Sequence, residues 1–285
     1  MSPLEPLVGK IEGIEALDRP GKAVGKLVRT VLPWGPVKDA VSGTWLGHAL
    51  HPPLTDLVIG TFMSASMLDL LGGDDDGRAS ERLIGIGIAA YGPTALTGAS
   101  DYGDSELSDD GVRRAGLVHA WANSVALSLY TASLVARRRG DTGRGKLLSA
   151  AGGAALVAAA YFGGHITLAK GMGADQTIFD PGPTEWTAAA DSAQVVAGQP
   201  KRVIVDETPV LLVRGRDGEL FGIHDRCSHR GCSLSDGEVE GDEVVCVCHG
   251  SRFALADGAI RRGPATAPQP AFEVRERDGQ VEVRG

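Results

Sequence analysis

Cysteine is scarce in this chain, with four residues among 285. Aromatic residues are also few, at 5%, whereas glycine is abundant, at 40 residues. Lys and Arg number 28 against 36 Asp and Glu, for a net charge of -8. That balance argues against a nucleic-acid partner, which calls for a basic surface. The opening MSPLEPLVGKIEGIEALDRP has no charged stretch leading into an apolar core, so no cleavable signal peptide is expected. The length predicts two domains.

What cysteine there is falls in two short stretches. RCSHRGC and CVCHGSRF hold Cys227, Cys232, Cys246 and Cys248, with His229 and His249 among them. Cys227-x-His229 is followed, after sixteen intervening residues, by Cys246-x-x-His249. Each stretch therefore offers one thiolate and one imidazole. Zinc uses such ligands in tetrahedral sites, although Cys-x-His is tighter than its usual spacing. A pure disulfide framework has three connectivities and leaves both histidines without a role.

These stretches resemble the Rieske family of [2Fe–2S] proteins, in which two histidines replace two cysteines on one iron. CSHRGCSLSDGEV is similar to the first cluster loop, CVCHGSRFALADGAI to the second, and RGPATAPQPAFEV to the proline loop that covers the cluster. The resemblance implies that Cys227 and Cys246 bind one iron and that His229 and His249 bind the other, near the surface where a redox partner docks. Neutral imidazole ligands place such centres well above all-cysteine ferredoxins in potential. A ligand histidine can also couple proton loss to oxidation. The resemblance further implies a disulfide between Cys232 and Cys248, the positions at which the respiratory branch ties its two loops; a pair of buried free thiols is the alternative. Such a bridge limits the unfolded chain and favours an oxidising compartment. Arg230 stands where that branch has a leucine against its quinol site, and HRG with Leu234 is closer to the ferredoxin and oxygenase branch. Ser251 is retained as a hydrogen-bond donor toward a cluster sulfur. Phe253 replaces a tyrosine donor, which predicts an intermediate potential.

Upstream the composition changes. Four stretches, at about 54–71, 83–100, 115–136 and 147–169, approach the 17–25 residues that span a bilayer as a helix. Small residues, as in AAGGAALVAAAYFGG, permit close helix contact in lipid. The short charged connections GGDDDGRASE and RRRGDTGRG predict antiparallel neighbours. Asp56 and Asp69 suit a buried soluble bundle instead. HPPLTDLVIGTF, TGASDYGD and GGHITLAKGMG resemble a poorly characterised bacterial four-helix membrane family whose fusions include Rieske domains. The expected architecture is an all-α transmembrane four-helix bundle followed by a small all-β domain. Residues 1–47 read as an N-terminal segment with a candidate interfacial helix over 4–30, 48–170 as the bundle, 171–185 as a Gly/Pro linker and 186–285 as the Rieske domain.

Antiparallel helices would bring His48, His51, Asp56, Asp101, His119, Asn123 and His165 to one side of the membrane, the side on which the Rieske domain follows. Intramembrane histidines are functional candidates. His119 and His165 could be axial ligands of a b-type haem. His48, His51 and Asp56 offer two imidazoles and a carboxylate for a second metal. The plain alternative is helix capping and interhelical hydrogen bonding. Arg78, Arg82, Arg137, Arg138, Arg139, Arg144 and Lys146 lie on the opposite side, which favours an extracytoplasmic cluster. The basic N-terminal segment, with Lys10, Arg19, Lys22, Lys26 and Arg29, argues against that orientation.

The reading is a membrane-anchored carrier or oxidoreductase subunit that exchanges single electrons with protein partners or quinone. A redox sensor acting through the cluster or the disulfide is one rival. An oxygenase-like enzyme with a second iron is the other.

Overall fold

The computed structural model describes residues 5–73 and 76–285, so residue 4 of the N-terminal candidate helix and positions 74 and 75 of the first connection lie outside the described residues. The chain forms two compact units. A helical unit comprises residues 1–32 and 50–172, and a β unit comprises 33–49 and 173–285. The stretch 1–47, read from sequence as one segment, thus divides between them.

The helical unit contains α1 (Glu5–Glu12) and α2 (Asp18–Val31), then four long helices. These are α4 (His51–Leu71), α5 (Gly77–Ser105), α6 (Asp110–Arg138) and α7 (Thr142–Gly164). The intervening α3 (Pro36–Ser42) belongs to the β unit. Start signals are local. Pro52 and Pro53 occupy the first turn of α4, where a missing N–H is tolerated. Asp109 caps α6 by accepting from the Val112 N–H, and Asp141 caps α7 by accepting from the Arg144 N–H.

The bundle core stacks Phe62 on Tyr130, with ring centroids 4.0 Å apart. Gly87 makes this possible, because a Cβ there would lie 2.4 Å from the Phe62 ring. The Tyr130 hydroxyl meets Ser66 Oγ at 2.8 Å and donates to the Phe62 carbonyl at 3.1 Å. Asp69 pairs with Arg137 where both side chains are almost fully buried, which satisfies a charge the apolar pattern left unexplained. At the other end, fully buried Glu106 binds Arg29 at 2.8 Å and Arg113 at 3.0 Å. Asp18 of α2 binds Arg114 at 2.6 Å, fixing the N-terminal helices to α5 and α6.

Among the described residues, three helices are long and apolar enough to cross a membrane: His51–Leu71, Gly77–Ser105 and Thr142–Ala169, the last including a π turn at its end. The α6 helix, expected as the fourth, is not among them. It carries Arg113 and Arg114 in its first turns and Arg137 and Arg138 in its last. His119, Asn123, Ser124 and Ser128 dilute its middle. Ser124 and Ser128 donate to carbonyls one turn back, which satisfies them within the helix.

Neighbouring strands of the β unit all pair antiparallel. Its strands are β1 (Thr187–Asp191), β2 (Lys201–Val205), β3 (Thr208–Arg214), β4 (Leu220–His224), β5 (Glu238–Glu240), β6 (Glu243–Val245), β7 (Arg252–Ala254), β8 (Ile260–Arg262), β9 (Ala271–Arg277) and β10 (Gln280–Arg284). A six-stranded sheet runs β1-β10-β9-β4-β3-β2 and a four-stranded sheet runs β5-β6-β7-β8. Strand β3, next to the edge strand β2, reads VLLV because both its faces are covered. Leu211 and Val213 join Ile223, Leu234, Val244 and Phe253 in one core, while Val210 and Leu212 join Val205, Phe272, Val281 and Val283 in another. Burying each such side chain stabilises the fold by about 1.5–3 kcal/mol.

Candidate iron-sulfur site

Three loops converge at one end of the β unit. The first joins β4 to β5, the second joins β6 to β7 and the third joins β8 to β9. The first two are built alike. Cys227 N–H donates to the Cys232 carbonyl and Cys246 N–H to the Ser251 carbonyl, both at 2.8 Å. Gly231 N–H donates back to Cys227 at 2.8 Å, and Gly250 N–H to Cys246 at 2.9 Å. Both glycines have left-handed backbones, with φ of 79° and 73°, a conformation that disfavours other residues. In each loop the backbone N–H groups two and three residues past the cysteine, those of His229 and Arg230 and of Cys248 and His249, point at its sulfur.

This matched pair of turns brings four side chains together. Cys227 and Cys246 are buried and hydrogen-bonded to each other through sulfur. The hydrogen bond to Cys246, reinforced by burial, pushes the Cys227 thiol well up, while the same bond draws Cys246 down to about 7. The His229 and His249 rings meet edge to face, with centroids 4.9 Å apart. Burial holds His229 well below the usual histidine range, and the charges of Arg230, His249 and Lys38 add to that. Two buried sulfurs joined by a hydrogen bond, beside two imidazoles, are the donor set of a [2Fe–2S] centre with two ligands on each iron. The residues fit that group. His249 is buried and His229 half-buried, a more enclosed edge than the sequence led us to expect.

The supporting residues come from all three loops. The first loop is organised around Asp225, which accepts from Ser233 Oγ at 2.7 Å and from the N–H of Ser235 at 2.8 Å. The third loop is fastened by Gln269. Its Oε1 accepts from the Ser228 N–H at 3.0 Å, and its Nε2 donates to the carbonyls of His224 at 2.7 Å and Arg226 at 2.5 Å. Ser251 Oγ, fully buried, accepts from the Ala265 N–H at 3.0 Å and keeps its hydroxyl proton to donate. Cys232 and Cys248 form a disulfide between the first two loops, with Cys248 exposed. Residues 173–185, read as linker, pack against the first loop instead: Gln176 N–H donates to Ser228 O at 3.1 Å, and Asp180 lies 3.1 Å from His224 Nε2.

Sequence reasoning missed Asp225 and Gln269, which are a buried carboxylate and a buried amide with no motif spacing of their own. The glycine four residues after each loop cysteine was a readable sign that the two turns are the same.

The comparisons bear on this site directly. A Rieske [2Fe-2S] domain matches residues 185–273. The anthranilate 1,2-dioxygenase ferredoxin subunit of Burkholderia cepacia is 34% identical over 99 residues, covering 35% of this chain and 91% of that protein. The chain belongs to the Rieske [2Fe-2S] family. The 3-phenylpropionate/cinnamic acid dioxygenase ferredoxin subunit of Escherichia coli K12 is 35% identical over 94 residues, covering 33% of this chain and 87% of that protein. Among solved structures, the ferredoxin of carbazole 1,9a-dioxygenase from Nocardioides aromaticivorans IC177 aligns at 27% identity and a TM-score of 0.34, covering 35% of this chain and 98% of that chain. Residues 47–176 match a family described as Predicted membrane protein (DUF2231). This Rieske protein is therefore a two-part chain whose N-terminal part is of a membrane-protein type.

The candidate sites in the helical part do not assemble in the same way. His48 and His51 belong to different units, and Asp56 is exposed. The His51 ring instead lies 3.1 Å from both the Thr94 carbonyl and Thr97 Oγ1. His119 bonds the Ala159 carbonyl at 2.8 Å and stacks over Gly163, while Asn123 reaches its ring at 3.2 Å. His165 Nε2 meets Glu12 at 2.9 Å. Among the described residues, no three His, Cys, Asp or Glu side chains gather to hold one metal ion.

Proposed function

We propose that this chain is a membrane-anchored one-electron carrier in which Cys227 and Cys246 hold one iron of a [2Fe–2S] cluster and His229 and His249 hold the other. The observation that carries this is the pair of matched turns, which present two buried sulfurs and two imidazoles together. When bound, the cluster supplies reversible one-electron transfer at a potential above that of all-cysteine centres. The chain's own groups do the rest. Backbone N–H groups aimed at both sulfurs, with the Ser251 hydroxyl, stabilise negative charge there and favour the reduced form. The third loop, held by Gln269 and Ser228, keeps water from the sulfur side.

Anchoring is supported by the three apolar helices and by the DUF2231 match. It is supported also by exposed apolar faces that include Leu70, Leu71, Leu96, Leu147 and Val157, which suit contact with lipid. Exposed Leu7, Val24, Leu27 and Val31 give α1 and α2 an apolar side suited to the interface. The basic connection between α6 and α7 favours a cytoplasmic position for that connection. His51, His119 and His165 are read as groups that tie helices together. The relatives are dioxygenase ferredoxin subunits, so a soluble redox protein is the favoured acceptor class, and quinone is the lesser one.

The test is the reduced full-length protein in detergent. It should give a Rieske electron-paramagnetic-resonance signal, and His249→Ala should abolish it while leaving helical circular dichroism unchanged. A signal retained in His249→Ala would overturn the ligand assignment. The exposure of Cys248 also supports a second reading, in which the disulfide is a reducible switch that reports redox state.

A further inference from the structure

A groove of about 670 Å³ runs between α6 and the first turns of α7, wholly within the helical unit. That volume is in the range of small-molecule sites, about 300–1,000 Å³. Leu127, Thr131 and Val135, one turn apart along α6, line it, and Leu148 lines it from α7. Arg139, just past the last residue of α6, and Arg144, in the first turn of α7, line its other end. From Leu127 to Arg139 is about 18 Å of helix at about 1.5 Å per residue. That length covers half of a hydrocarbon core about 30 Å thick and reaches into the headgroup layer. The neighbouring arginines are committed elsewhere, Arg137 to Asp69 and Arg138 to Glu81. Arg139 and Arg144 are exposed and make no ion pair among the described residues. The one carboxylate in the lining, Asp141, caps α7 by accepting from the Arg144 N–H at 3.1 Å. The lining charges are thus two guanidiniums against one carboxylate.

We propose that this groove binds one phospholipid of net negative headgroup, its phosphate between Arg139 and Arg144 and one acyl chain along Leu127, Thr131 and Val135. This rests on the membrane-anchored reading above. A guanidinium donates two parallel N–H bonds to phosphate oxygens, so two of them hold a phosphate firmly. A zwitterionic headgroup brings its own ammonium, which the arginines repel, whereas an anionic headgroup answers the excess positive charge. Basic pockets between membrane helices on the cytoplasmic side hold anionic headgroups on the same principle. The place is right for one, because Arg144 lies in the first turn of the spanning helix Thr142–Ala169, where headgroups lie. The remaining polar wall residue, Ser128, is already satisfied by the Ser124 carbonyl at 2.8 Å and leaves the chain path undisturbed.

The experiment titrates the full-length protein in detergent with phosphatidylglycerol or phosphatidylcholine and reads the lipid-bound fraction by native mass spectrometry. Wild type should bind phosphatidylglycerol at least fivefold more tightly than phosphatidylcholine. The double variant Arg139→Gln/Arg144→Gln should lose that preference, and Val135→Trp, which fills the groove, should weaken phosphatidylglycerol binding at least fivefold. Arg82→Gln, at an exposed arginine of α5 outside the groove, should bind as wild type does. Helical circular dichroism checks that each variant is folded, and the double variant alone decides if Val135→Trp is not. A smaller preference in wild type, a preference kept by the double variant, or an equal loss in Arg82→Gln would overturn the site. So would displacement of the lipid by equimolar inorganic phosphate, since the arginines would then be taking a free anion. Failure of the reconstituted wild type to float with phosphatidylcholine vesicles would defeat the anchoring reading itself, a distinct failure.

Discussion

Gln269 should matter more to the site than any residue outside the ligands. It is 1% exposed and makes three hydrogen bonds that join the third loop to the first. Gln269→Leu keeps most of the volume and removes all three. Each bond contributes about 0.5–1.5 kcal/mol net, and each buried group left without a partner adds a penalty of about 1–3 kcal/mol. The Ser228 N–H and the His224 carbonyl are on buried residues, whereas Arg226 is exposed, so water can replace one of the three lost partners. With two bonds and two unpartnered buried groups uncompensated, the sum is a loss of about 3–9 kcal/mol. Gln269→Glu sharpens the test. It retains an acceptor for Ser228 but turns a carboxylate toward two carbonyl oxygens, so at neutral pH it should be worse than leucine. The assay is urea unfolding of the full chain in detergent, read at the cluster's visible circular dichroism. A leucine variant within about 1 kcal/mol of wild type, or a glutamate variant more stable than leucine, would refute the reasoning.

Two further outcomes follow from the same geometry. The Arg114 hydrogen bond, opposed by burial and aided by Arg113, draws Asp18 down to about 2. Its contribution is therefore complete above the ordinary carboxylate value of about 4 and is lost as pH falls toward 2. Thermal unfolding of the helical unit should weaken across that interval, and Asp18→Asn should be less stable than wild type at pH 7 and flatten the profile; an unchanged profile would exclude the pair. For the disulfide, thiol trapping against dithiol buffers should place the Cys232–Cys248 couple above about −300 mV if the pair is a switch, and below it if the pair is a fixed brace.

The two ligand loops were legible because metal chemistry fixes residue types at fixed spacing. Cys227-x-His229 and Cys246-x-x-His249 are short, local and dense in unusual residues. The α4, α5 and α7 helices were legible by length and composition. The α6 helix was legible as a helix at 115–136 but not as a weaker span, since its run includes polar groups satisfied by the helix's own carbonyls or by neighbours, as His119 is by Ala159. Asp69 suited a soluble bundle in the sequence until its partner Arg137, on another helix, was placed, and Glu106, buried against Arg29 and Arg113, carried no signal of its own. Gln269 and the 33–49 segment share one difficulty. Their meaning lies wholly in contacts with residues far along the chain, and no periodicity records a contact of that kind.

The divided β unit sets an order of assembly. Residues 33–49 leave the ribosome first, and the whole of residues 50–172 is translated before residue 173 appears. Throughout that interval the early segment has no β surface to rest on. Once residues 173–285 have folded, the waiting segment can dock on them and complete the unit. A C-terminal fragment beginning at residue 173 would therefore fold without a part of its own unit that the full chain supplies from before the helices.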